Sequence, residues 1–259
     1  LKSIEEQGKL TDALEASIKA ADSKQRLEDL YLPYKQKRRT KAQIAREAGL
    51  EPLADLLLND PSNDPQTSAA GYLNAEAGID DAKAALDGAK QILMERFGES
   101  AELLAELREL AWDRGVIESK VATGKEQEGA KFSDYFEYVE PINRIPSHRA
   151  LALFRGRNES VLWISLKLID VENSGGALAI GRIAQRFGIA DEGRAADSWL
   201  MEVARWGWQV KLGLKIELDL LTRLREAAEA EAIRVFGSNL KDLLLAAPAG
   251  SRATLGLDP

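Results

Sequence analysis

Residues 80–97, DDAKAALDGAKQILMERF, decide the fold class. Ala82, Ala85, Leu86, Ala89, Ile92, Leu93 and Phe97 recur at three- and four-residue steps, the spacing that lines one face of an α-helix. The next stretch, ESAELLAELRELAWDRG (99–115), repeats the pattern with Leu103, Leu104, Leu107, Leu110 and Ala111. Two long amphipathic helices in succession predict a core built by helix packing.

Upstream, TDALEASIKAADSKQRLEDLYL (11–32) places Leu14, Ile18, Leu27, Leu30 and Leu32 at helical spacing, with a break near residues 21–23. Pro33 stops that helix. Thr40 and Gln43 form a capping box, so a new helix starts at Lys41 and closes at Gly49. Pro52 suits the first turn of a further helix to about Leu58, and NDPSNDPQTS (59–68) reads as a loop. Downstream, VIESKV (116–121) reads as a short strand and FSDYFEYVEP (132–141) as an irregular aromatic segment. HRALALFRG (148–156) is a helix closed by Gly156. In SVLWISLKLID (160–170) the alternation of Leu162, Ile164, Leu166 and Leu168 marks the strongest strand. Helices follow at about 178–187, 195–213 and 215–246, the last with a possible break at Gly237, and RATLGLDP (252–259) is a short β-like run. The expected fold is mainly α, multi-helical, with helical-hairpin or helix-turn-helix-like units and a few short strands. Its expected segments are a helical part (1–115), a mixed part (116–175), a long-helix part (176–250) and a short end (251–259).

Composition excludes several chemistries. The chain has 45% hydrophobic and 30% charged residues, a soluble globular balance. No apolar run approaches the ~18 residues of a membrane span, so no membrane partner is expected. The start shows no secretory pattern, and Leu1 reads as a cut end; the expected compartment is the cytoplasm. Without cysteine there are no disulfides, thiolate metal sites or cysteine nucleophiles. The single histidine, His148, rules out a multi-histidine metal site. No spacing singles out two carboxylates for acid–base work. No enzyme activity, metal or cofactor is expected.

Against a formal net charge of -7, the loop YLPYKQKRRTKAQIAREAGL (31–50) concentrates Lys35, Lys37, Arg38, Arg39, Lys41 and Arg46. Such a block can neutralise phosphates without reading sequence; equally, its cations can pair with acids of neighbouring helices. IAREAGLEPLADLLL invites a helix-turn-helix reading, echoed in IAQRFGIADEG (183–193). Its second helix, PLADLLL, offers no cation or side-chain donor to a base edge, so a packed helical hairpin is the better reading. GKEQEGAK (124–131) has phosphate-loop glycines but Ala130-Lys131 where Lys-Ser or Lys-Thr belongs, and it reads as a surface loop. In SHRALALFRGRNE (147–159), Arg155 and Arg157 complement a helix C-terminus or reach a phosphate. Trp199, Trp206 and Trp208 suit packing better than base stacking.

Several of these strings together, LEDLYLPYKQKRRTKAQIAREAGLEPLAD, GAKQILMERF, GKEQEGAKFSDYFEYVEP, PSHRALALFRGRNE and DLLLAAPAGSRATLGLDP, resemble the N-terminal region of the Tex family of bacterial transcription accessory proteins. The resemblance runs in order along the whole chain. It implies a helical N-terminal region followed, in the longer protein, by an RNase H-like domain, helix-hairpin-helix units and an OB-fold that carries most nucleic-acid affinity. It also implies kinship with a eukaryotic elongation factor that handles histones, and places Asp258 where the RNase H-like domain begins. VLWISLKLIDVENSGGALAIG departs from the family pattern and reads as a surface segment. The expected partners are nucleic acid, through the intact protein, and proteins of the transcription machinery. Candidate nucleic-acid contacts are Lys35, Lys37, Arg38, Arg39, Lys41, Arg155 and Arg157. The competing expectation is a helical scaffold that does not itself bind nucleic acid.

Overall fold

The computed structural model describes residues 1–35, 39–168, 176–248, 250, 251, 253, 255 and 256. The described chain is mainly α: α1 (Lys2–Glu5), α2 (Asp12–Lys19), α3 (Lys24–Tyr31), α4 (Lys41–Glu47), α5 (Glu51–Asn59), α6 (Pro65–Ala69), α7 (Ala82–Glu99) and α8 (Ala101–Arg114) precede the first strand. Then come β1 (Gly115–Val121), β2 (Glu137–Pro141), α9 (Ser147–Asn158), β3 (Leu162–Leu168), α10 (Ala177–Arg186), α11 (Asp197–Gly207) and α12 (Gly213–Leu244). The chain divides into two compact units. One comprises residues 1–117, 141–143 and 165–220, the other 118–140, 144–164 and 221–259.

In the first unit α7 is the hub, with α4, α5, α6 and α11 packed against it. Ala85, Ala89, Ile92, Leu93 and Phe97 are fully enclosed, as the sequence spacing requires. Burial also extends to Met94 and Glu95, so α7 is covered on more than the single face its apolar pattern marks. The hairpin α4–α5 forms because Thr40 Oγ1 accepts the Gln43 N–H at 3.0 Å, capping α4. Gly49 then turns the chain at φ +82, a left-handed conformation that a side chain would strain. α5 buries Leu53, Ala54 and Leu57, while Glu51 and Asp55 are ion-paired to Arg96. It is a packing helix. On the far side of α7, the Phe97 and Phe187 rings lie 4.4 Å apart.

The three strands form a sheet in the order β2-β1-β3. Val121 donates its N–H to the Phe136 carbonyl at 3.1 Å, and Ala122 donates to the Val161 carbonyl at 2.7 Å. In the second unit α9 buries Ala150, Leu153, Phe154 and Gly156.

Several sequence expectations are corrected. Residues 59–68 are not wholly loop: Asp64 accepts the Thr67 N–H at 2.8 Å and starts α6 at Pro65. The segment 132–141 holds a 3-10 turn (Ala130–Tyr135) and then β2. Gly156 does not close α9, which continues to Asn158. α11 joins α12 through a π-helical turn, Trp208–Leu212, and α12 passes Gly237 unbroken. The segment thought to be surface contributes Leu162, Ala179 and Ile180 to the core; its residues 169–175 lie outside the described residues. The described residues of 252–259 form no strand, and Asp258 is not among them.

Candidate nucleic-acid interface

The basic loop enters α4 on a frame of ion pairs. Glu95, buried on α7, accepts the Thr40 hydroxyl at 3.0 Å and the Arg46 guanidinium at 2.5 Å. Arg46 also lies 3.4 Å from Glu51, which in turn accepts from Arg96 at 2.9 Å. Burial alone would lower the pKa of Arg46; the hydrogen bond and charge of Glu95 outweigh it and raise the pKa. Arg46 is therefore committed to the fold. The same hydroxyl that caps α4 thus fastens it to α7, which fixes where the loop emerges.

Arg39 is exposed and donates twice to Glu47, Nε at 3.0 Å and Nη2 at 2.6 Å. These bonds, with one from Gln43, hold the Glu47 carboxyl below its ordinary pKa. Glu47 is itself exposed, so a phosphate can compete for Arg39 at little desolvation cost. Lys35 is exposed and makes no ion pair among the described residues. Lys35 and Arg39 share a cleft of about 470 Å³ with Lys9, Arg46, Glu51 and Glu95. Arg46 is engaged with Glu51 and Glu95 inside this cleft, which leaves Lys9, Lys35 and Arg39 as its exposed cations.

Lys41 is also exposed without an ion pair among the described residues, but it lines a different, apolar groove. Lys37 and Arg38 lie outside the described residues. Arg155 and Arg157 belong to the other unit. Arg155 donates to Glu159 at 3.1 Å, where Lys131 also binds at 2.6 Å, and together they lower the Glu159 pKa, Lys131 contributing most. Arg157 lies over the Phe154 ring at 5.0 Å. Both sit in the last turn of α9, where their charge suits the helix dipole.

Sequence reasoning missed the ion cluster around Arg108. Its Nη2 donates to Asp29 Oδ1 at 2.9 Å and its Nε to Asp219 at 2.8 Å, while Lys215 lies 3.3 Å from Asp219. The only signal in the sequence is an arginine inside a leucine-rich helix. Among the described residues, no group of three or more His, Cys, Asp or Glu side chains could hold a metal ion. No helix among them is long and apolar enough to cross a membrane.

These features define a mainly helical chain whose basic segment enters α4 on a frame of ion pairs. The chain belongs to the Tex family: residues 60–236 match the model described as Tex central region-like. It is 56% identical over 265 residues to Protein tex of Bordetella pertussis, covering all of this chain and 34% of that protein. It is 56% identical over 261 residues to the Transcriptional accessory protein Tex of Neisseria gonorrhoeae, again covering all of this chain and 34% of that protein. The human S1 RNA-binding domain-containing protein 1 is 26% identical over 293 residues, covering all of this chain and 26% of that protein. The chain thus spans about a third of the length of these bacterial relatives.

Proposed function

We propose that this chain is the helical part of a non-enzymatic transcription accessory protein that binds nucleic acid without strict sequence preference. Within it, Lys35 and Arg39 at their shared cleft, Lys41 at a separate groove, and Lys37 and Arg38 of the same sequence block make auxiliary phosphate contacts, with Arg155 and Arg157 as a weaker second patch. The observation that carries this reading is the basic loop itself: on a chain of net charge -7, Lys35 and Lys41 are exposed without ion pairs among the described residues. The names of the bacterial relatives support the transcription role, and that of the human relative supports nucleic-acid contact. Counterion release gives such contacts affinity without base reading.

The second reading is a scaffold that does not bind nucleic acid. It is favoured by the engagement of Arg39 with Glu47 and of Arg155 with Glu159. A salt titration of the 259-residue chain with single-stranded RNA, single-stranded DNA and duplexes separates the two. Phosphate neutralisation predicts log affinity falling with log salt, the single-strand slope becoming shallower by roughly 0.7 for each contact removed in Lys35→Ala and Arg39→Ala. Absence of binding at low salt, or variants that lose stability with an unchanged slope, would establish the scaffold reading.

A further inference from the structure

The apolar groove beside α4 lies wholly in the first unit and encloses about 590 Å³. That is within the ~300–1,000 Å³ of ordinary ligand clefts. Ile44 of α4, Met94 of α7, and Trp206 and Val210 from the α11–π junction line it. Ile44, Trp206 and Val210 are 44%, 44% and 45% exposed, so three large apolar side chains stay open to solvent around one concavity. π-helical turns, such as the one that places Val210 here, are frequent at functional sites.

The charges around the groove are asymmetric. Lys90 lies 5.6 Å from the Trp206 ring centroid and is neutralised by Asp87 at 3.0 Å. Lys41 has no ion pair among the described residues. It also occupies the first position of α4, where the helix dipole disfavours a cation. Its charge is therefore uncompensated by the local fold and stands free to meet an acid at the edge of an apolar surface.

We propose that this groove docks an amphipathic helix from a protein partner, with large apolar anchors filling the space between Ile44, Met94, Trp206 and Val210 and an acidic residue meeting Lys41. Helix-in-groove recognition places such anchors at i, i+3 or i+4, and i+7. The lining is mostly apolar and its second lysine, Lys90, is already paired with Asp87, which favours an occupant with apolar anchors and one acid over a nucleic acid with a charge on every phosphate. This groove shares only Lys41 with the proposed phosphate contacts, so Ile44→Glu on one side and Lys35→Ala or Arg39→Ala on the other separate the two readings.

The probe is a labelled helical peptide of about 14 residues with Leu, Phe and Leu at i, i+4 and i+7 and Glu on the flanking faces. Fluorescence polarisation with the whole chain should show saturable binding. Ile44→Glu and Lys41→Glu should each weaken it at least tenfold, and a peptide with Lys in place of Glu should recover affinity for Lys41→Glu. Lys35→Ala should leave it unchanged. Circular dichroism confirms that the variants, all at exposed positions, remain folded. No binding at millimolar peptide, equal binding of a scrambled peptide, or single-stranded RNA binding that is lost in Ile44→Glu would overturn the proposal.

Discussion

At the level of single residues, the strongest constraint is Arg108. Arg108 is 6% exposed and Asp29 2% exposed, yet the two form an ion pair. Taking two ions from water is costly, and the bidentate geometry with additional bonds to Asp219 is what offsets it. Burial alone would lower the Arg108 pKa; its hydrogen bonds to Asp29 and Asp219 raise it instead. Arg108→Ala leaves Asp29 with Lys215, 3.9 Å away, as its remaining ion-pair partner among the described residues, and should cost about 3–5 kcal/mol in a urea unfolding titration. Adding Asp29→Leu to that variant should recover part of the loss, because the buried charge is then gone. A single variant as stable as the parent would refute this account. Nothing near Arg108 in sequence announces its role, because its partners lie 79 and 111 residues away. The same holds for Glu95, whose partner Arg46 is 49 residues distant. Buried ion pairs are long-range facts, and local periodicity cannot register them.

At the level of elements, sequence reading succeeded where the determining contacts are local. Thr40 with Gln43 marked the start of α4 because the capping bond spans three residues. The apolar spacing marked α7 and α8 because helical burial repeats with the helix period. It failed at β2, whose half-buried side chains are Tyr138 and Glu140 rather than aliphatics, so no apolar alternation exists to be read. Of the basic loop, its position and the cap that anchors it were legible, but the clamp of Glu47 on Arg39 and the separation of Lys41 from the cleft were not. Gly156 failed for a more specific reason: a glycine near a helix end usually stops the helix, but this one admits a neighbour. A Cβ there would lie 2.5 Å from Leu162 Cδ1 and 2.7 Å from its Cγ, and Leu162 is itself only 3% exposed. Gly to Ala in a helix interior ordinarily gains about 1 kcal/mol. Here overpacking at β3 should reverse the sign, so Gly156→Ala is expected to lose about 1–3 kcal/mol in a thermal melt. The loss should shrink when Leu162→Ala is added. A more stable Gly156→Ala would mean that α9 and β3 do not pack this closely.

The whole molecule carries 42 acidic and 35 basic side chains, so acid titration changes its electrostatics most. Several carboxyls are held below their ordinary pKa: Glu47 by the Arg39 hydrogen bond, Asp60 by Ser62, Asp64 by Thr67, Glu159 by Lys131, and Glu231 by Arg234. Glu102 and Asp197 are lowered too, although burial alone would raise them. For Glu102 its own backbone N–H and the Arg26 side chain prevail, and for Asp197 the backbone N–H groups of Arg194 and Glu192 prevail, helped by the Arg194 guanidinium. A carboxylate whose folded pKa lies below its unfolded one stabilises the fold above the unfolded value, about 4. That stability disappears as pH falls through the folded value. These carboxylates therefore pull in one direction, and Asp197 should matter most because it organises the turn before α11 through bonds of 2.8 and 2.9 Å. Helicity followed by circular dichroism from pH 6 to pH 2 should hold to about pH 4 and then fall, with proton uptake on unfolding. Asp197→Asn should lower stability at neutral pH and flatten the acid limb, since the group that loses its charge in the parent is already neutral in the variant. Stability that rises between pH 5 and pH 3, or an acid limb unchanged by Asp197→Asn, would show that these carboxylates are not what holds the helices together in acid.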